Sequence, residues 1–128
     1  MPKLKRILHV DDDADIRLMV GTVLKLLGHF EVKQFTSGEE AIRHAQDFDP
    51  QLLLLDIMMP NMSGYDTWNQ LKRIPTLANV PTVFLTAKHD SKFDEKLLSE
   101  GALAILNKPF DPVALCRKLD RLWKSYSS

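Results

Sequence analysis

The stretch QLLLLDIMMPNMSG, residues 51–64, runs four leucines into a single aspartate, Asp56, and then breaks at Pro60. Four apolar residues with no polar alternation are the pattern of a strand covered on both faces, which places it at the centre of a parallel sheet. Such a strand needs helices above and below it. It also raises a chemical question, because a carboxylate at the edge of an apolar strand is costly to bury unless it is paired or shifts its pKa. Asp56 therefore needs a partner or a task, which the rest of the sequence has to supply.

On the N-terminal side, Ile7, Leu8 and Val10 form a short apolar run that ends at Asp11, Asp12 and Asp13. Ile16, Met19, Val20, Val23, Leu24 and Leu27 then recur at helical spacing as far as Gly28. FEVKQF predicts a second strand with Phe30, Val32 and Gln34 on one face, and Ser37 with Glu40 is a capping-box signature opening a helix to Phe48. On the C-terminal side the pattern predicts a third helix over 64–73 with Tyr65, Trp68 and Leu71 as its apolar stripe, and a fourth strand over 81–85. SKFDEKLLSEG reads as a fourth helix stopped by Gly101, followed by a short fifth strand over 104–106. Asp111 as N-cap and Pro112 at the first helical position open a last helix carrying Leu115, Leu119, Leu122 and Trp123. Strict strand-helix alternation, repeated for each strand, implies an α/β fold: a doubly wound five-stranded parallel sheet, (βα)5, with right-handed crossovers.

Composition bounds the function. A chain of 128 residues with 45% hydrophobic content is long enough for one core, so residues 1–128 are read as a single domain. Lys plus Arg equals Asp plus Glu at 17 each, so no global field draws the chain to nucleic acid or an anionic membrane. The apolar runs fall far short of the roughly 18 residues of a membrane span, and MPKLKRILHV lacks a secretory core, so a cytoplasmic location is expected. The lone Cys116 fits a reducing compartment and reads as a small helix residue. His9, His29, His44 and His89 stand singly without metal-ligand spacing, and none is assigned a role.

In an open parallel sheet the chemistry gathers beyond the carboxyl ends of the strands. The residues delivered there are Asp11, Asp12 and Asp13 after the first strand, Asp56 after the third, Thr86 after the fourth, and Asn107 and Lys108 after the fifth. Carboxylates converging from separate loops repel one another unless a divalent cation sits among them, and all-oxygen ligation suits Mg²⁺. A carboxylate can also attack phosphorus, forming an aspartyl phosphate, when a metal and a fixed cation neutralise the phosphoryl oxygens. Lys108 is that cation and Thr86 a donor. The peptide before Pro109 fixes the approach of Lys108, with a cis bond expected there. Competing readings are a turn-capping strand-end aspartate for Asp56, a backbone-bonded hydroxyl for Thr86 and a solvated surface lysine for Lys108.

ILHVDDDADIR, LLLLDIMMPNMSG, VFLTA and NKPF together resemble the four signature segments of the response-regulator receiver family, in order and over essentially the whole chain. The resemblance implies the CheY-like, flavodoxin-like strand order 2-1-3-4-5 and two-component signalling. A histidine kinase or histidine phosphotransfer protein would donate a phosphoryl group to Asp56, and a downstream protein target would read the result. It further implies that Asp11 and Asp12 hold Mg²⁺, one directly and one through water, with Asp56 and the backbone carbonyl of Met58 completing the ligands. Thr86 and Lys108 would contact the phosphoryl group. Asp13 falls outside the acidic pair and is read as a cap of the first helix. The chain would act only on its own aspartate, not as a turnover enzyme, and would bind neither nucleic acid nor membrane directly. It would be either a stand-alone receiver or one excised from a longer protein.

One position departs from the family pattern. Many receivers carry an aromatic residue three positions before the lysine, and here that residue is Ile105. The signal is therefore expected to travel through the loop after Thr86 and the fourth helix. A phosphohydrolase using the same chemistry would need a second acid two residues after Asp56, where Met58 stands, and a flavin or nucleotide binder would need a phosphate-cradling first loop where DDDAD repels phosphate. The remaining alternative is a receiver-like binding module that is never phosphorylated. Met58, Met59 and Met62 are read as packing residues, and Arg117, Lys118, Arg121 and Lys124 as a solvated face, with a partner-binding face the alternative.

Overall fold

Leu52, Leu53, Leu54 and Leu55 lie almost wholly out of water at the middle of a five-stranded sheet, as a strand covered on both faces must. Each such leucine contributes about 1.5–3 kcal/mol over its exposed state. The structure is a computed structural model and describes residues 2–88 and 90–127; His89 lies outside the described residues. Its elements run β1 (Arg6–Val10), α1 (Ala14–Leu26), β2 (Glu31–Phe35), α2 (Gly38–Phe48), β3 (Leu52–Asp56), α3 (Gly64–Lys72), a 3-10 turn (Pro75–Leu77), β4 (Thr82–Thr86), α4 (Ser91–Ser99), β5 (Ala104–Asn107) and α5 (Pro112–Ser127). The strand order is β2-β1-β3-β4-β5, and every neighbouring pair is parallel.

Alternate residues of the strands feed two cores. Leu8, Val10, Leu53, Leu55 and Phe84 face Ala41, Ala45, Trp68, Leu71 and Leu97, so α2, α3 and α4 cover one side. Ile7, Leu52, Leu54, Val83 and Leu85 face Val20, Leu24, Leu115, Leu119 and Trp123, so α1 and α5 cover the other. The caps are those the sequence announces. Asp13 accepts from the N–H groups of Asp15 and Ile16, Ser37 from Glu40, and Asp111 from Val113. Such caps contribute about 1 kcal/mol each. Glu40 reaches back to the N–H of Thr36, one residue earlier than the standard box.

Strand ends differ from expectation by one residue. β4 covers Thr82–Thr86 rather than 81–85, and β5 continues to Asn107. Pro81 has no N–H to give, although its carbonyl accepts from Leu53, while Thr86 pairs with Asn107 beyond the apolar run. The 3-10 turn, opened by Pro75 and burying Leu77, was not anticipated from the periodicity.

Gly64 sets how closely α3 approaches β3. Its N–H donates to the Ile57 carbonyl at 2.9 Å, and a Cβ there would collide with the carbonyl oxygen of Asp56. Because the obstacle is backbone, it cannot rotate away. Gly64→Ala is expected to destabilise the fold by about 3 kcal/mol, measured by urea unfolding; a loss under about 0.5 kcal/mol would mean that the helix retreats freely.

Candidate functional site

Three strands end on a shared charged cluster. Asp56 closes β3, Asp11 follows β1 and Lys108 follows β5. One carboxylate oxygen from each of Asp11, Asp12 and Asp56 lies within 4.8 Å of the others; Asp11 and Asp56 are buried, Asp12 exposed. Lys108 crosses to both buried acids, its Nζ donating to Asp11 Oδ2 at 2.8 Å and standing 3.3 Å from Asp56 Oδ1. The Lys108–Pro109 peptide is cis, as expected, and the Lys108 N–H donates to the Thr86 carbonyl at 2.7 Å. Asp11 is held further by the Asp13 N–H on Oδ1 at 2.9 Å, while Arg17 Nη1 donates to the Asp11 carbonyl at 2.7 Å.

Three carboxylates against one ammonium leave the cluster under-compensated. Burial raises the pKa of Asp56 to about 6, the charge of Asp11 adds to the rise, Lys108 opposes it, and Asp12 adds a smaller rise. For Lys108, burial favours the neutral amine, but the hydrogen bond to Asp11 and the charges of Asp56 and Asp11 outweigh it and hold the ammonium above its ordinary range. The donor set is made of hard oxygens, spaced so that one small divalent cation fits among them. What the arrangement offers chemically is a buried carboxylate in a negatively charged cluster with an ammonium beside it.

Other predicted residues occupy the same edge less directly. Thr86 is buried, and its hydroxyl donates to the Lys88 carbonyl at 2.8 Å and accepts the Lys88 N–H at 3.1 Å, so in this state it holds the loop before α4. Met58 lies two residues past Asp56 with its side chain exposed to solvent, contrary to a packing role, whereas Met59 packs on the core and Met62 lies against Gly38. Ile105 is half-buried and packs against the α2–α4 side of the sheet. Arg117, Lys118, Arg121 and Lys124 are exposed, with Lys124 paired to Asp120 at 2.9 Å. Cys116 is buried in the core under α5, where burial and Asp120 raise its pKa against the opposing charge of Arg117.

Sequence reasoning passed over His9. It is fully buried on β1 with Nε2 3.9 Å from Asp11 Oδ2. The signal was available, since a residue two before Asp11 on a strand shares its face.

The family model for the response regulator receiver domain matches residues 7–120. The chain is 36% identical over 115 residues to the phosphate regulon transcriptional regulatory protein PhoB of Pseudomonas aeruginosa, covering 90% of this chain and 50% of that protein. It is also 36% identical over 115 residues to the DNA-binding response regulator MtrA of Mycobacterium tuberculosis, covering 90% and 49%. The chain thus spans about half the length of these curated relatives. Among solved structures it is similar to the chemotaxis protein CheY4 of Vibrio cholerae, with a TM-score of 0.86 at 29% identity over 93% of this chain and 98% of that one. The beryllofluoride-activated DrrB receiver domain aligns with a TM-score of 0.79 at 29% identity over 94% and 98%.

The raised pKa of Asp56 makes stability depend on pH. Since the folded state binds this proton more tightly than the unfolded chain, whose ordinary value is 3.8, the contribution is complete below that value and is lost as pH rises through about 6. Asp56→Asn removes the penalty. In metal-free buffer it should be about 2 kcal/mol more stabilising at about pH 8 than at about pH 4, read from urea unfolding; a pH-independent difference would contradict the electrostatic account.

Proposed function

The chain belongs to the response regulator receiver domain family, and on that premise we propose that it accepts a phosphoryl group on Asp56 from a histidine kinase or a histidine phosphotransfer protein in a Mg²⁺-dependent reaction. The observation that carries this reading is the convergence of Asp11, Asp12 and Asp56 on one edge with Lys108 bridging two of them.

In the proposed step an Asp56 carboxylate oxygen attacks phosphorus and the phosphorus–nitrogen bond of the phosphohistidine breaks. The electron pair returns to the leaving imidazole, which takes up a proton. Asp11, Asp12, Asp56 and the backbone carbonyl of Met58 would hold Mg²⁺, which when bound offsets the crowding of negative oxygens and draws charge from the phosphoryl group. Lys108 stays charged, because its neighbours favour the ammonium. On phosphorylation it shifts from Asp11 toward the phosphoryl oxygens while remaining against Asp56. Thr86 exchanges its Lys88 backbone partners for a phosphoryl oxygen, which frees the loop leading to α4. Hydrolysis of the aspartyl phosphate then resets the switch, so the chain acts on its own aspartate and on no other substrate.

The output surface is proposed to include α4, since Thr86 holds the loop that precedes it and Ile105 cannot supply an aromatic rotation. A protein target reads this surface. The DNA binding in the name of MtrA is that of a chain about twice as long, and the balanced charge of these 128 residues supports protein rather than nucleic-acid contact here. Residues 1–128 are proposed to act as one receiver unit in the cytoplasm; among the described residues no helix is long and apolar enough to cross a membrane.

Incubation with Mg²⁺ and acetyl phosphate, followed by intact-mass measurement, is expected to add one phosphoryl group to the wild type. Asp56→Asn and wild type in excess chelator should gain none. An unchanged wild-type mass under conditions that load other receivers would favour the alternative, a binding module that is never phosphorylated.

A further inference from the structure

His9 is fully buried on β1 among Ile7, Leu8 and Val10, where an imidazole is costly unless its nitrogens are partnered. One partner is fixed. Gln34 of β2 stands opposite His9 in register, with its Nε2 donating to the Arg17 carbonyl at 2.7 Å and lying 3.0 Å from His9 Nδ1. A carbonyl oxygen only accepts, so the amide atom facing Arg17 is nitrogen, and its second N–H meets Nδ1, which must therefore accept. Neutral His9 thus carries its proton on Nε2. Gly21 of α1 makes this possible, because a Cβ there would stand 2.6 Å from Gln34 Oε1.

The Nε2–H has no hydrogen-bond partner among the described residues. A buried donor left unpaired is uncommon in a folded protein and needs a physical account. It lies 3.9 Å from Asp11 Oδ2, about 1 Å beyond a normal N–H···O contact. That same oxygen is occupied by Lys108 Nζ at 2.8 Å. Burial, with Lys108 and Arg17 nearby, depresses the His9 pKa to about 3, which agrees with the neutral ring that Gln34 requires.

We propose that His9 is a positioning residue for phosphoryl transfer: its Nε2–H takes over Asp11 Oδ2 when Lys108 leaves for the phosphoryl group. The proposal rests on the reading of Asp56 given above. Once Lys108 moves, Oδ2 would be buried without a protein donor, whereas Oδ1 keeps the Asp13 N–H at 2.9 Å. A neutral donor suits this place, because it orients the carboxylate without cancelling the negative charge that the cluster needs. Gln34 and Gly21 act behind it by holding the ring tautomer.

The test uses the full chain as wild type, His9→Leu and His9→Gln, loaded with acetyl phosphate and Mg²⁺ and followed by intact mass. ¹H–¹⁵N spectra of the wild-type His9 ring are recorded before and after addition of beryllofluoride with Mg²⁺. The ring should be the Nε2–H tautomer throughout, with its proton moving downfield on loading. His9→Leu should load roughly tenfold more slowly and His9→Gln, whose amide N–H reaches the same place, within roughly threefold of wild type. Equal rates for His9→Leu and wild type, or an unmoved ring proton in the loaded wild type, would overturn the assignment and leave the Asp56 reading intact. A wild type that takes neither group overturns both. Should His9→Leu fail to fold, the wild-type ring spectrum decides.

Discussion

An ammonium held between two buried carboxylates is the interaction on which the carboxyl edge of this sheet depends. Lys108 ties β5 to β1 through Asp11 and to β3 through Asp56, so strands separated in the sheet share one electrostatic knot. The knot is not neutral, because Asp12 and the second buried acid exceed what one cation offsets. Burial on this scale normally neutralises a group or expels it. Here the cores on both faces, anchored by the leucines of β3, hold the acids in place and leave a site that gains from any added positive charge.

Strand alternation divides the labour around that knot. His9 and Asp56 share the parity of Ile7 and Leu54, which face α1 and α5. Thr86 and Ile105 have the opposite parity and lie with Phe84 toward α2, α3 and α4. The buried His9 and Asp56 are thus backed from one side of the sheet, and the hydroxyl that holds the loop before α4 from the other. On that second side Tyr65 spans α3 and α4, its hydroxyl donating to Glu100 at 2.7 Å while Phe93 meets its ring edge-on at 5.6 Å. The loop held by Thr86 leads into α4, which carries Phe93 of this aromatic contact, whereas position 105 carries no ring.

Most of the elements were legible because their signals are local. LLLL reports burial on both faces, Ser37 and Asp13 report helix starts, and the alternation of strand and helix reports a parallel sheet. What local pattern misplaced was settled by partners distant in the chain. Thr86 joins β4 because Asn107, 21 positions later, pairs with it. The first helix closes at Leu27, just before Gly28 as the spacing predicts, and the left-handed residue that follows is His29, with φ of 57°.

By itself the sequence determined the α/β class, the acidic edge and the family, since these follow from spacing and residue type along the chain. Only the tertiary structure decided who touches whom across that edge. Lys108 and Asp11 stand 97 positions apart, and no periodicity says that they meet at 2.8 Å. Nor could composition show that His9 is buried beside Asp11, or that Gln34, 25 positions away, dictates which ring nitrogen holds its proton. Hydrogen bonds depend on separations of a few tenths of an ångström, and such distances arise only when the sheet has closed and both cores have packed.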